Sequence, residues 1–83
     1  IAARDRLAAA LERLGCRVLP SVTNFVSFRP ERHEAPAVDE ALLARGVAVR
    51  RYESGPMAGW LRATARLEPE EGRLLAALEE VLQ

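Results

Sequence analysis

Two arginines, Arg50 and Arg62, are the residues of this 83-residue chain whose type and placement point to chemistry. A guanidinium is planar, permanently charged and carries five N–H donors, so two of them on one surface suit a carboxylate or a phosphate. The other reactive side chains have plainer readings. His33 sits in a polar loop between Glu31 and Glu34, with no nucleophile or metal ligand at useful spacing, and reads as a surface residue. Cys16 is the single cysteine, cannot form an internal disulfide and reads as a small buried or half-buried filler. Ser21, Thr23 and Ser27 lack a G-x-S-x-G context, and no glycine-rich phosphate loop or Cys/His metal cluster is present. All twelve basic residues are arginine, so chemistry that requires a lysine imine cannot be completed within the chain. No self-contained active site is visible.

The elements that must position the two arginines follow from periodicity. Leu7, Leu11 and Leu14 recur at helical spacing in an alanine-rich segment, with Gly15 as its C-cap. Cys16 to Leu19 forms a weak strand, and Thr23 to Phe28 a better one ended by Arg29-Pro30. Glu31 to Pro36 reads as a loop, and Ala37 to Arg45 as a helix that buries Val38, Ala41 and Leu42 and closes at Gly46. Val47 to Tyr52 and Trp60 to Ala65 are strands separated by a turn-rich loop. Pro69, Glu70 and Glu71 open a last helix with Leu74, Leu75, Leu78, Val81 and Leu82 on its apolar face.

A strand, a crossover helix, a parallel strand and a third strand inserted antiparallel between them make a split βαβ arrangement, hence a two-layer α+β sandwich with helices on one face. Strand alternation turns Leu61, Ala63 and Ala65 one way and Trp60, Arg62 and Thr64 the other, and separates Val47 and Val49 from Ala48 and Arg50. With the apolar sets against the helices, Arg50 and Arg62 share the uncovered face as an anion-binding pair. The plainer reading of Arg62 is a solvated arginine paired with a glutamate. Trp60 and Thr64 on its face favour a packed ligand or partner domain instead. For Arg50 the plainer reading is stronger, since Arg51 adjoins it and sequence places a strand end only to within a residue or two.

Composition narrows the classes further. Twelve acidic residues balance the twelve arginines, 49% of residues are hydrophobic, and the material suffices for one small core, so residues 1–83 read as a single domain. Zero net charge speaks against nucleic acid or an anionic membrane surface as partner. No apolar run approaches a membrane span, no export signal opens the chain, and a lone cysteine fits a cytoplasmic setting. The chain starts at Ile1 with a helical pattern already running, as expected of a piece of a larger protein.

Four strings in register carry a resemblance: Pro20-Ser21-Val22-Thr23-Asn24-Phe25-Val26-Ser27-Phe28-Arg29, Arg45-Gly46-Val47-Ala48-Val49-Arg50, Gly59-Trp60-Leu61-Arg62-Ala63-Thr64, and Glu70-Glu71 followed by Leu74-Leu75-Ala76-Ala77-Leu78. Together they resemble the C-terminal small domain of the histidinol-phosphate aminotransferase family, within the class I/II pyridoxal-phosphate aminotransferases of fold type I, over nearly the whole chain. The resemblance implies that Arg62, in its Leu-Arg-x-Thr strand, clamps a substrate carboxylate and helps to hold the phosphate or the glutamate carboxylate. It implies that Arg50, in Gly-Val-x-Val-Arg, faces the substrate phosphate. Asn24 matches the family's Asn-Phe strand start without a ligand role.

The implied reaction is a ping-pong amino transfer between glutamate/2-oxoglutarate and a phosphorylated substrate in amino-acid (histidine) biosynthesis, by a cytoplasmic homodimer. The implied cofactor, pyridoxal 5'-phosphate, is held mainly by a large domain of the same protein, which this chain lacks; alone it should be inactive. One departure is Arg66, where the family commonly has glycine. A basic residue there looks similar to the threonine-phosphate decarboxylase branch, the nearest alternative. The rival from another class is a free-standing small-molecule-binding or structural α+β module. An RNA-binding sheet is disfavoured, because Phe25, Trp60 and Tyr52 are its only aromatic candidates at balanced charge.

Overall fold

The apolar stripe of the first segment produces α1 (Ala2–Arg13), which buries Ala3, Leu7, Ala10 and Leu11. In the computed structural model, which describes residues 2–83, the chain leaves this helix through Gly15 at φ +90°, the left-handed conformation expected of a helix-ending glycine. The strands are β1 (Cys16–Val18), β2 (Phe25–Pro30), β3 (Arg50–Arg51) and β4 (Leu61–Thr64). Helix α2 (Ala35–Ala44) joins β2 to β3, a single 3-10 turn (Gly55–Met57) precedes β4, and α3 (Glu70–Leu82) ends the fold.

The sheet order is β1-β2-β4-β3 with every neighbouring pair antiparallel. Strand β4 therefore lies between β2 and β3, and those two, linked through α2, run parallel to each other. The molecule is a small α+β domain built on this four-stranded sheet.

One pleat face carries the core. Val26, Phe28, Leu61 and Ala63 are buried with Leu7 and Leu11 of α1, Val38 and Leu42 of α2, and Leu74, Leu78 and Leu82 of α3. Each large side chain so buried contributes about 1.5–3 kcal/mol. A two-pronged ion pair from Arg6 to Glu71, at 2.6 and 3.1 Å, ties α1 to α3. The Glu71 hydrogen bond shifts the Arg6 guanidinium further upward from its usual value, favouring the charged form.

Four expectations are corrected. Strand β3 spans two residues rather than Val47 to Tyr52: the Val47 N–H bonds to the Leu42 carbonyl at 2.9 Å, which holds the chain at the end of α2 and delays its entry into the sheet. Helix α2 starts at Ala35, before the expected loop ends, because Pro36 fits the first turn, where its missing N–H costs nothing. Strand β2 starts at Phe25 instead of Thr23, which is drawn into a turn by its own hydroxyl. Within α2, Val38 and Leu42 are buried as expected, but Ala41 is half-buried.

Candidate functional site

The strand register decides where the two arginines stand. Arg50 of β3 lies directly opposite Arg62 of β4, and Ser27 of β2 lies opposite Arg62 on its other side. Because Leu61 and Ala63 point into the core, Arg62 and its cross-strand partners occupy the face away from it. The structure thus brings Arg50 and Arg62 together as the alternation of the sequence predicts. Arg51 is excluded from that face: it reaches Asp39 of α2 at 3.7 Å and Glu53 at 3.2 Å.

A second opposed pair was not anticipated. Arg17 of β1 stands opposite Arg29 of β2, and the pleat places both on the same face as Ser27 and Arg62. The signal was available, since Arg17 alternates with Cys16 and Val18, and Arg29 with Phe28 and Pro30. Like charges directly opposite each other destabilise a sheet by roughly 0.2–1 kcal/mol. Among the described residues the ion pairs fall on Arg4, Arg6, Arg45 and Arg51, and on none of these four. A chain of zero net charge therefore gathers four unneutralised guanidinium groups on one sheet face, an arrangement that favours an anionic ligand or partner.

Arg62 has an aromatic partner. Its guanidinium carbon lies 4.4 Å from the centroid of the Phe25 ring, a cation–π contact. Phe25 is 40% exposed, whereas Trp60, expected to be the open aromatic of this face, is half-buried just before β4, its N–H bonded to Met57 and its carbonyl to Tyr52. Thr64 is half-buried opposite Phe25.

Clefts of about 350 Å³ beside α1 and about 400 Å³ between Gly46–Ala48 and the start of α3 include neither Arg50 nor Arg62, and the second is lined by Arg66 and Arg73. Both arginines lie on the face of the sheet that points away from the core.

The remaining candidates are structural. Cys16 is buried, and burial, with the nearby Glu31 charge adding, pushes its thiol up to about 11. His33 is half-buried instead of a free surface residue: its Nε2 lies 3.2 Å from the Leu82 carbonyl, one of the acceptors left open at the end of α3. Ser21 and Thr23 brace the turn before β2, the Ser21 hydroxyl donating to the Phe25 carbonyl at 2.7 Å.

Comparison with known proteins places the chain. The family model for aminotransferase class I and II matches residues 1–78. Histidinol-phosphate aminotransferase 1 of Dechloromonas aromatica is 41% identical over 78 residues, covering 94% of this chain and 21% of that protein. Histidinol-phosphate aminotransferase 1 of Bradyrhizobium diazoefficiens is 39% identical, covering 99% and 23%. The chain thus spans between a fifth and a quarter of the length of these relatives. Among solved structures, histidinol-phosphate aminotransferase from Sinorhizobium meliloti in complex with pyridoxal-5'-phosphate superposes with a TM-score of 0.84 at 28% identity, over 98% of this chain and 23% of that one. L-threonine-O-3-phosphate decarboxylase from Porphyromonas gingivalis superposes at 0.83 and 25% identity, over 98% and 26%.

Proposed function

Because the chain belongs to the class I and II aminotransferase family, we propose that residues 1–83 form the C-terminal small domain, a two-layer split βαβ unit, of a pyridoxal-phosphate-dependent aminotransferase of the histidinol-phosphate type. The observation that carries this reading is the opposition of Arg50 and Arg62 on the open face, with no ion pair among the described residues falling on either. In this reading Arg62 binds the carboxylate of glutamate or of the substrate, and Arg50 faces the phosphate of a phosphorylated amino or keto substrate. The large domain of the same protein would close over this face and complete the enclosure. A cytoplasmic homodimer working in histidine biosynthesis belongs to the same proposal.

Pyridoxal phosphate is held as an imine by a lysine, and this chain has none, so its own residues do not fit the cofactor. The proposed contribution is confined to binding and orienting anions. The sheet fixes the relative placement of the two backbone positions that carry these guanidinium groups, which limits where one anion can engage both.

A second reading, a threonine-phosphate decarboxylase-like enzyme, is favoured by Arg66, two residues beyond the end of β4, and by the Porphyromonas structure. One assay separates the two. The full-length protein is incubated with histidinol phosphate and 2-oxoglutarate, or with threonine phosphate alone. Glutamate formation in the first mixture supports the transaminase; carbon dioxide release from the second, without glutamate formation in the first, replaces it with the decarboxylase. Silence in both sinks the two readings together.

A further inference from the structure

The contact between Phe25 and Arg62 is not explained by packing. Phe25 is 40% exposed, while its strand neighbours Val26 and Phe28 fill the core. It faces Thr64, and Ser27 faces Arg62, so Phe25 and Arg62 are diagonal neighbours at the offset where an aromatic ring and a long side chain meet across two strands. The backbone beneath the ring is braced on both sides. The Phe25 carbonyl accepts a hydrogen bond from the Ser21 hydroxyl at 2.7 Å, and the Phe25 N–H donates to the Thr23 hydroxyl at 3.2 Å. The Asn24 carbonyl accepts from the Ala65 N–H at 2.7 Å, which latches the same turn to the chain just beyond Arg62.

We propose that Phe25 is a positioning residue that aims the Arg62 guanidinium at its anion. The inference rests on the reading of Arg62 as an anion clamp. An arginine on an open sheet face has four rotatable side-chain bonds and must be oriented by something. A glutamate would orient it but would occupy its N–H donors and cancel its charge. An aromatic ring attracts the guanidinium through its π cloud without cancelling its charge or taking up the paired N–H donors as a carboxylate would, which leaves donors for a carboxylate or phosphate. The braces on Phe25 follow from the same requirement, since a ring that drifts cannot aim its partner.

The test is steady-state kinetics on the full-length holoenzyme, with glutamate as the carboxylate probe. Phe25→Leu is expected to raise the KM for glutamate by about 2- to 5-fold, the span of an exposed cation–π contact, with kcat little changed. Phe25→Tyr, which keeps the ring, is expected to restore the parent KM. Where Phe25→Leu does not fold, Phe25→Met keeps apolar bulk without a ring and is expected to show the same rise. In an Arg62→Ala background the Phe25→Leu effect is expected to vanish, because the ring acts only through that arginine.

A parent-like KM in Phe25→Leu or Phe25→Met, beside a large loss in Arg62→Ala, overturns the positioning role and leaves the anion clamp standing. A Phe25→Leu effect of undiminished size in the Arg62→Ala background also overturns it. Parent kinetics in Arg62→Ala remove the clamp itself, and the role of Phe25 falls with it.

Discussion

The two faces of the sheet divide the work of the domain. On the covered face, Val26, Phe28, Leu61 and Ala63 are at most 2% exposed, and among the described residues no polar side chain is buried with them. On the open face, the same strands present Phe25, Ser27, Arg29, Arg62 and Thr64, with Arg17 and Arg50 alongside. Stability is invested on one side of the pleat and charge on the other, one residue apart in the chain. Arg50 and Arg51 show how sharp that division is. Arg51 turns toward α2 and finds Asp39, while Arg50 turns away and faces another arginine.

If the faces are as separate as this, core and open-face substitutions should fail in different assays. Phe28→Ala removes a fully buried ring and is expected to cost about 3–5 kcal/mol in unfolding free energy by denaturant titration, the largest effect of the series. Arg62→Ala is expected to leave unfolding close to the parent and to lower kcat/KM by about 2–4 kcal/mol in the full-length enzyme. A stability loss as large as that of Phe28→Ala would erase the distinction between the faces.

The neighbouring arginines sharpen the comparison. Arg50→Ala is expected to reduce kcat/KM for a phosphorylated substrate by about 1.5–3 kcal/mol and to spare an unphosphorylated analogue. Equal losses on both substrates would detach Arg50 from the phosphate. Arg51→Ala is expected to leave catalysis alone and to cost about 0.2–1 kcal/mol of stability through its ion pairs, read by the same denaturant titration. The smallest effect concerns Cys16. Its neutral thiol is favoured in the folded state, so this contribution is complete below the ordinary value of 9.0 and is lost as pH rises toward about 11. Alkylation of the native protein near pH ~8 should be slow and should accelerate on unfolding. Fast native labelling would show that the covered side is open to solvent.

Much of this was legible because periodicity is local. The leucines of α1 and α3 mark their buried stripes, and the alternation around Leu61 and Ala63 marks the face of Arg62, without knowledge of any partner. The length of β3 was not legible, because it depends on a hydrogen bond from Val47 back to Leu42 that competes with sheet pairing. His33 looked like a free loop residue because its partner, the Leu82 carbonyl, lies at the far end of the chain. Serine and threonine in the turn before β2 lacked any nucleophile motif, and their actual task, bracing Phe25, appears only when their hydroxyls are placed.

By itself, the sequence determined the helix stripes, the strand alternation that turns Arg62 away from the core, and the absence of a lysine for an imine. These are properties of residue type and of spacing within one segment, which backbone geometry converts directly into faces. Only the tertiary structure decided that Arg50 stands in register directly opposite Arg62, that Arg17 and Arg29 join them, and that Phe25 lies against the Arg62 guanidinium. Those facts are matters of register between strands distant in the chain. Register is set by which face of each strand is buried and by the turns that join the strands, and a shift of one residue would exchange the two faces.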